Sequence, residues 1–222
     1  MKPDESIVPV FGIDDNNIKH FLGTGTFVEQ KPFLVTAYHV IKDWTGKFVT
    51  VFVHDLQHVY QLNVVIVDPD ADLAVLEAPG CQVSQNIAIA TTDEFLSNQQ
   101  IVSFEYSTTR TVGKSIHLAP ATCLGNITRM LNMTDKYGKA GDGILELSFP
   151  ALRGASGSPI LSNSEFQLLG IVIANVEYHL LPTQIESVLD EKNQLLEERK
   201  YLLPQALAVH VKHLRGMLAK LR

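Results

Sequence analysis

Leu152-Arg153-Gly154-Ala155-Ser156-Gly157-Ser158-Pro159-Ile160 sets a serine among small residues on a tight turn that leads into an apolar strand. Glycines at 154 and 157 give the backbone access to conformations closed to residues with a Cβ. That freedom can aim the amides of Gly154 and Ser156 at one point in space. Two convergent N–H donors beside a hydroxyl are what acyl transfer needs to hold a developing oxyanion. The same letters also spell an ordinary Gly-Ser turn. The rest of the chain has to supply a base and an acid before the turn means more.

Outward from this turn the chain is a succession of short β-like runs. Leu22 to Val28 leads through a break at Lys31-Pro32 into Phe33-Leu34-Val35-Thr36-Ala37, and Phe48 to His54 and Val59 to Val67 are rich in β-branched and aromatic residues. Asp68-Pro69-Asp70 makes a turn before Leu73-Ala74-Val75-Leu76-Glu77, and Pro79-Gly80 closes the group. A second group runs through Ile101 to Tyr106, Ser115 to Ile127, Ile144 to Phe149, Pro159 to Leu161 and Leu168 to Ala174. The polar, Gly-rich stretch from Arg129 to Gly143 is expected to be a long loop. Many short strands with almost no helix between them indicate antiparallel barrels or a sandwich rather than a doubly wound sheet. Two groups of about six strands fit an all-β chain of two packed six-stranded antiparallel barrels.

The boundaries that follow are a lead-in over 1–17, an N-terminal barrel over 18–92 and a C-terminal barrel over 93–182. Thr183 and Glu186 form a capping box, and Ile185, Val188, Leu189 and Leu196 make an apolar stripe, so 183–203 is expected to be a helical insertion ended near Pro204. Residues 204–222 then supply a last strand and a C-terminal helix carrying Leu214, Leu218 and Leu221.

Composition narrows the class. The net charge of -6 argues against a nucleic-acid binder, which needs clustered Lys and Arg. No run approaches the ~20 apolar residues that cross a bilayer, and no membrane partner is expected. The start, Met1-Lys2-Pro3-Asp4-Glu5, lacks the apolar core of a secretory signal, and Cys81 and Cys123 do not make a disulfide framework. A cytoplasmic protein is the expectation. His54 and His58 stand four apart among β-like residues, where that spacing gives no shared face, so no metal and no organic cofactor is expected.

A serine hydroxyl needs a base, and His39, at the end of the Leu34-to-Ala37 strand, is the candidate. A carboxylate should fix the imidazole tautomer. Asp72, directly ahead of Leu73-Ala74-Val75-Leu76, is preferred over Asp68 and Asp70. The order along the chain is His, Asp, Ser.

These local sequences resemble the trypsin-like serine proteases of the chymotrypsin fold, nearest to the bacterial HtrA-type and glutamyl-endopeptidase-like branches. The matching residues are Gly23-Thr24-Gly25-Thr26-Phe27, Thr36-Ala37-Tyr38-His39, Asp72-Leu73-Ala74-Val75-Leu76, Gly154-Ala155-Ser156-Gly157-Ser158-Pro159 and Leu169-Gly170-Ile171-Val172. The resemblance implies Ser156 as nucleophile, His39 as general acid–base and Asp72 as its orienting carboxylate, with oxyanion donors at Gly154 and Ser156. It implies a pocket bordered by Pro150, Ile173, Ala174 and Asn175, whose strand pairs with a protein or peptide substrate. Ala155 stands where secreted members carry the aspartate of their zymogen switch. Pro150 stands where Lys/Arg-selective members carry an acid, which implies small or apolar residues before the scissile bond.

The expectation is therefore a serine endopeptidase, latent until a protein partner or ligand activates it if the Gly154 amide rests turned away. One other reading is retained, a non-catalytic protease-like binding or scaffold module. An α/β-hydrolase in which Asp190 and His210 complete the order Ser, Asp, His is disfavoured, because Ser158 replaces the last glycine of its elbow and strands do not alternate with helices.

Overall fold

The structure, a computed structural model, describes residues 5–29, 33–83, 86–112, 115–134, 140–179, 185–189, 195–200 and 202–221. The expected break at Lys31-Pro32 lies outside them, as do Thr183 of the capping box and Asp190.

The first barrel contains β1 (Ile7–Ile13), β2 (Lys19–Val28), β3 (Phe33–Ala37), β4 (Lys47–Phe52), β5 (Asp55–Asp68) and β6 (Leu73–Glu77), with the single-turn helix α1 (Tyr38–Ile41) after β3. Its strands close in the order β1-β2-β3-β6-β5-β4. The second part of the chain contains β7 (Gln100–Glu105), β8 (Arg110–Val112), β9 (Ser115–His117), β10 (Ala121–Thr134), β11 (Ala140–Leu147), β12 (Pro159–Ser162), β13 (Leu168–His179), β14 (Ile185–Leu189), β15 (Leu195–Lys200), β16 (Leu202–His210) and α2 (Val211–Ala219). Six of these strands close a second antiparallel barrel in the order β10-β11-β16-β13-β12-β7. The two-barrel architecture is the one expected.

Alternation explains how the barrels meet. Leu34, Ala74 and Leu76 point into the first barrel, beside Val8, Val10 and Phe27. Their neighbours Val35, Leu73 and Val75 join the larger cluster that fills the second barrel, with Ile101, Leu145, Ile160 and Val209. Strands β3 and β6 are thus buried on both faces, which is why they read as unbroken apolar runs rather than alternating ones. They form the wall shared by the two halves.

Three expectations are corrected. Residues 1–17 are not simply a lead-in, because β1 pairs with both β2 and β4 and completes the first barrel. Pro9 and Gly12 disguise it. Pro9 offers its carbonyl to Thr50 Oγ1 at 2.7 Å, and the bare Cα of Gly12 leaves room for the Trp44 indole, into which any Cβ would project.

The stretch from Arg129 to Gly143 is mostly the β10–β11 hairpin, with residues 135–139 outside the described set. Its polar letters belong to ladder positions, among them Arg129, whose guanidinium meets the Glu146 carboxylate at 2.9 Å.

The predicted helix over 183–203 is replaced by β14 and β15, an antiparallel pair with Ile185 opposite Lys200. Strands β13 and β16 are paired as far as His179 opposite Leu202. Tertiary pairing overrides a local apolar stripe of helical spacing.

Helix α2 caps the second barrel. The His210 ring accepts a hydrogen bond from Lys212 N–H at 2.9 Å through Nδ1, which leaves Nε2–H to donate to the Asp93 carbonyl at 3.3 Å. Burial holds the pKa of this imidazole below its ordinary value. Its ring stacks on Phe95 with centroids 4.6 Å apart. His210 is committed to the helix start, so it cannot serve as the base that the α/β-hydrolase reading required.

Candidate active site

The register of β3 and β6 brings the first two site residues together. Ala37 lies opposite Leu73, so His39 follows one strand by two positions and Asp72 precedes the other by one. Tyr38 N–H extends the ladder by donating to the Asp72 carbonyl at 2.9 Å. Asp72 adopts a left-handed backbone with φ 52°, a strained conformation for a residue with a Cβ, which lifts its carboxylate toward the imidazole. Its Oδ2 lies 2.6 Å from His39 Nδ1, and its Oδ1 accepts from the His39 backbone N–H at 2.8 Å. Two bonds fix both the position of the histidine and the orientation of its ring.

Ser156 comes from the other barrel, on the turn between β11 and β12. Its Oγ is 2.8 Å from His39 Nε2. Several contacts dock the turn. Thr24 N–H donates to the Ser156 carbonyl at 2.9 Å, Gly157 N–H donates to the Val172 carbonyl at 2.8 Å, and Val172 N–H returns a bond to the Ser158 carbonyl at 2.9 Å. Gly157, with φ +88°, could not carry a side chain, because a Cβ would collide with the Thr24 carbonyl oxygen and with Thr36 Oγ1.

We therefore expect Gly157→Ala to cost about 3–5 kcal/mol, adding positive-φ strain to overpacking. For a chain of this length that is a fall of roughly 10 °C in melting temperature, read by thermal unfolding.

The peptide between Arg153 and Gly154 is also held. Gly154 has φ +97°, and the Arg153 carbonyl accepts from Thr108 N–H at 3.1 Å. Across a trans peptide the Gly154 N–H then points away from Thr108. Among the described residues, neither the Gly154 nor the Ser156 N–H donates to a backbone carbonyl. The Gly154 carbonyl accepts from Thr24 Oγ1 at 2.9 Å, and the same Oγ1 accepts from Tyr106 N–H at 3.1 Å.

Thr24 thus ties an early strand of one barrel to the glycine turn of the other. Sequence reasoning quoted Thr24 but assigned it no role, because a bond across 130 residues leaves no local pattern.

The residues expected around a pocket lie on β13 and on the segment between β11 and β12. Ile173 sits in a β-bulge between Val172 and Ala174, where β13 passes the Ser156 turn. The Asn175 carboxamide accepts from Ala151 N–H at 2.7 Å and donates to the Ala151 carbonyl, bridging β13 to the segment that follows Pro150. Beside His39 a cavity of about 280 Å³ is lined by Phe21, Val40, Trp44, Arg153 and Gly154, among others. Elsewhere, His58 Nδ1 contacts Asp55 Oδ2 at 2.6 Å and the His54 ring tilts against Phe52, so the two histidines are engaged separately.

The comparisons with known proteins agree with the two-barrel fold. The active form of the Rv3671c protease from M. tuberculosis superposes with a TM-score of 0.63 at 18% identity, covering 98% of this chain and 81% of that one. An inactive form of the same protease gives 0.60 at 18% identity over 98% and 89% of the two chains. The HtrA-type protease AlgW, solved with a decapeptide, gives 0.65 at 12% identity over 94% of this chain and 62% of that one. No curated protein matches the chain by sequence. The sequence model of the trypsin-like peptidase domain matches residues 23–171, and the chain belongs to that family.

Proposed function

We propose that this trypsin-like serine protease hydrolyses peptide bonds in protein substrates through an acyl-enzyme, with Ser156 as nucleophile. The observation that carries the reading is the unbroken chain from Asp72 Oδ2 to His39 to Ser156 Oγ, at 2.6 and 2.8 Å, beside the positive-φ turn at Gly154. The acceptor role of Asp72 keeps the proton on His39 Nδ1 and leaves Nε2 free to take the Ser156 proton. Ser156 Oγ then attacks the scissile carbonyl, and the Gly154 and Ser156 N–H groups hold the oxyanion. The imidazolium gives its proton to the leaving amine, and water repeats the sequence on the acyl-enzyme. The cavity beside His39 would receive the leaving segment. Pro150, standing where Lys/Arg-selective members carry an acid, supports a small or apolar residue before the scissile bond.

A cytoplasmic setting remains our reading, supported by two cysteines that are both free thiols. Burial pushes each thiol up to about 11, so neither is a thiolate at neutral pH.

The test is labelling of the isolated chain with a fluorophosphonate, followed by intact mass and peptide mapping. We expect one adduct, on Ser156. A latent resting state would require Thr108 to hold the Arg153 carbonyl elsewhere, and would show as labelling that appears only with a partner present. A well-folded chain that takes no adduct under either condition is the binding module instead.

A further inference from the structure

We propose that the substrate-pairing edge of β13 runs past Asn175 through Glu177 and His179, so that the site takes at least about seven extended residues on the acyl side. The inference rests on the proteolytic reading above and names its substrate class: unfolded polypeptide held by its main chain.

The direction in which each residue of β13 turns its backbone groups can be read from the bonds around it. Val172 exchanges both of its bonds with Gly157 and Ser158, so it faces away from β16. Beyond the bulge at Ile173 the parity is set by β16. Ala206 N–H donates to the Phe149 carbonyl at 2.8 Å, on the side away from β13. Ala206 lies opposite Asn175. Opposed residues in an antiparallel pair either both face each other or both face away. Asn175 therefore offers its N–H and C=O on the edge away from β16.

With a period of two, Glu177 opposite Pro204 and His179 opposite Leu202 do the same. Pro204 is consistent with this parity, because its missing N–H falls at a position that owes β13 no bond.

That edge is open. The pairing of β12 with β13 reaches only Pro159 opposite Ile171, and among the described residues no strand pairs with the same edge beyond it. Four further residues past Asn175 add about 13 Å of template at the usual strand rise.

Orientation follows from position. Strand β13 leaves the Ser156 turn at Val172 and runs outward, so a polypeptide with its scissile carbonyl at Ser156 and its acyl side on this edge lies antiparallel to it. With the residue before the scissile bond beside Ile173, the third, fifth and seventh residues upstream lie opposite Asn175, Glu177 and His179. The fifth and seventh each exchange two main-chain bonds with the strand. Bonds of this kind read no side chain, so the extended edge selects for an unfolded segment rather than for a sequence.

The experiment uses the full chain and fluorogenic peptides that share one cleavage sequence and carry four to eight residues upstream of the scissile bond. We expect kcat/KM to rise in two steps, on adding the fifth and the seventh residue, each roughly three- to tenfold, with the sixth and eighth nearly silent. N-methylation of the fifth or seventh residue should erase its own step, and N-methylation of the sixth should not. A rate that is flat beyond four residues, or a rise indifferent to N-methylation, overturns the extended edge and leaves the proteolytic reading standing. Failure to cleave any peptide, together with no adduct at Ser156, overturns both.

Discussion

Ser156→Ala should lower kcat by about a million-fold while leaving the melting temperature and KM nearly unchanged. The substitution removes one hydroxyl whose Oγ partner is His39 Nε2, and the turn that carries it stays docked through main-chain bonds from Thr24, Gly157 and Val172. His39→Ala should cost about as much, and the double variant little more, because nucleophile and base act as one unit. What remains would be a catalysis of roughly a thousandfold over water or more, supplied by binding and the Gly154 and Ser156 amides. Turnover of a cleaved peptide, measured beside thermal unfolding, checks all of this. Equal loss of activity and of fold would show the serine to be structural.

Asp72→Asn should reduce kcat by about ten-thousand-fold without disturbing the fold. Asparagine fills the same volume and tolerates the left-handed backbone at φ 52° as aspartate does. The Asp72 carbonyl would still receive Tyr38 N–H. The change is in the side chain: an amide donor facing His39 Nδ1 drives the proton to Nε2, which can then no longer accept from Ser156. Asp70→Asn is the matched control, since Asp70 is the competing acid in the same turn and the geometry gives His39 to Asp72. If Asp70→Asn proved the more damaging of the two, the assignment of the acid would be wrong.

The centre was legible because each of its residues sits against a strand whose letters could be read locally. His39 ends a run buried on both faces, Asp72 begins another, and Ser156 stands between two glycines whose positive φ the turn requires. The parts that escaped reading are those in which distant pairing decides. Ile185, Val188 and Leu189 fit one face of a helix as well as they fit a strand, and only their pairing with β15 settles the matter. The first strand was hidden by Pro9 and Gly12, each of which signals a break unless one knows that Thr50 and Trp44 lie opposite. Thr24 showed a motif without a function, since its partners Gly154 and Tyr106 belong to the other barrel. The bulge at Ile173 likewise has no letter of its own.

On the proposed mechanism, the order in which the two barrels close also sets when the chain can become reactive. Synthesis delivers the histidine and the carboxylate first, on a barrel that can close by residue 77, while the serine arrives later on a body that is still open. That second body waits for β16, which lies between β11 and β13 and is built from residues 202–210. Domains emerging from the ribosome fold in order, so a nascent chain would hold the proposed base without its nucleophile, and then the nucleophile on an unfinished support. Hydrolytic power would then arrive with one of the last strands to pair, and a truncated product lacking it would be inert toward its neighbours.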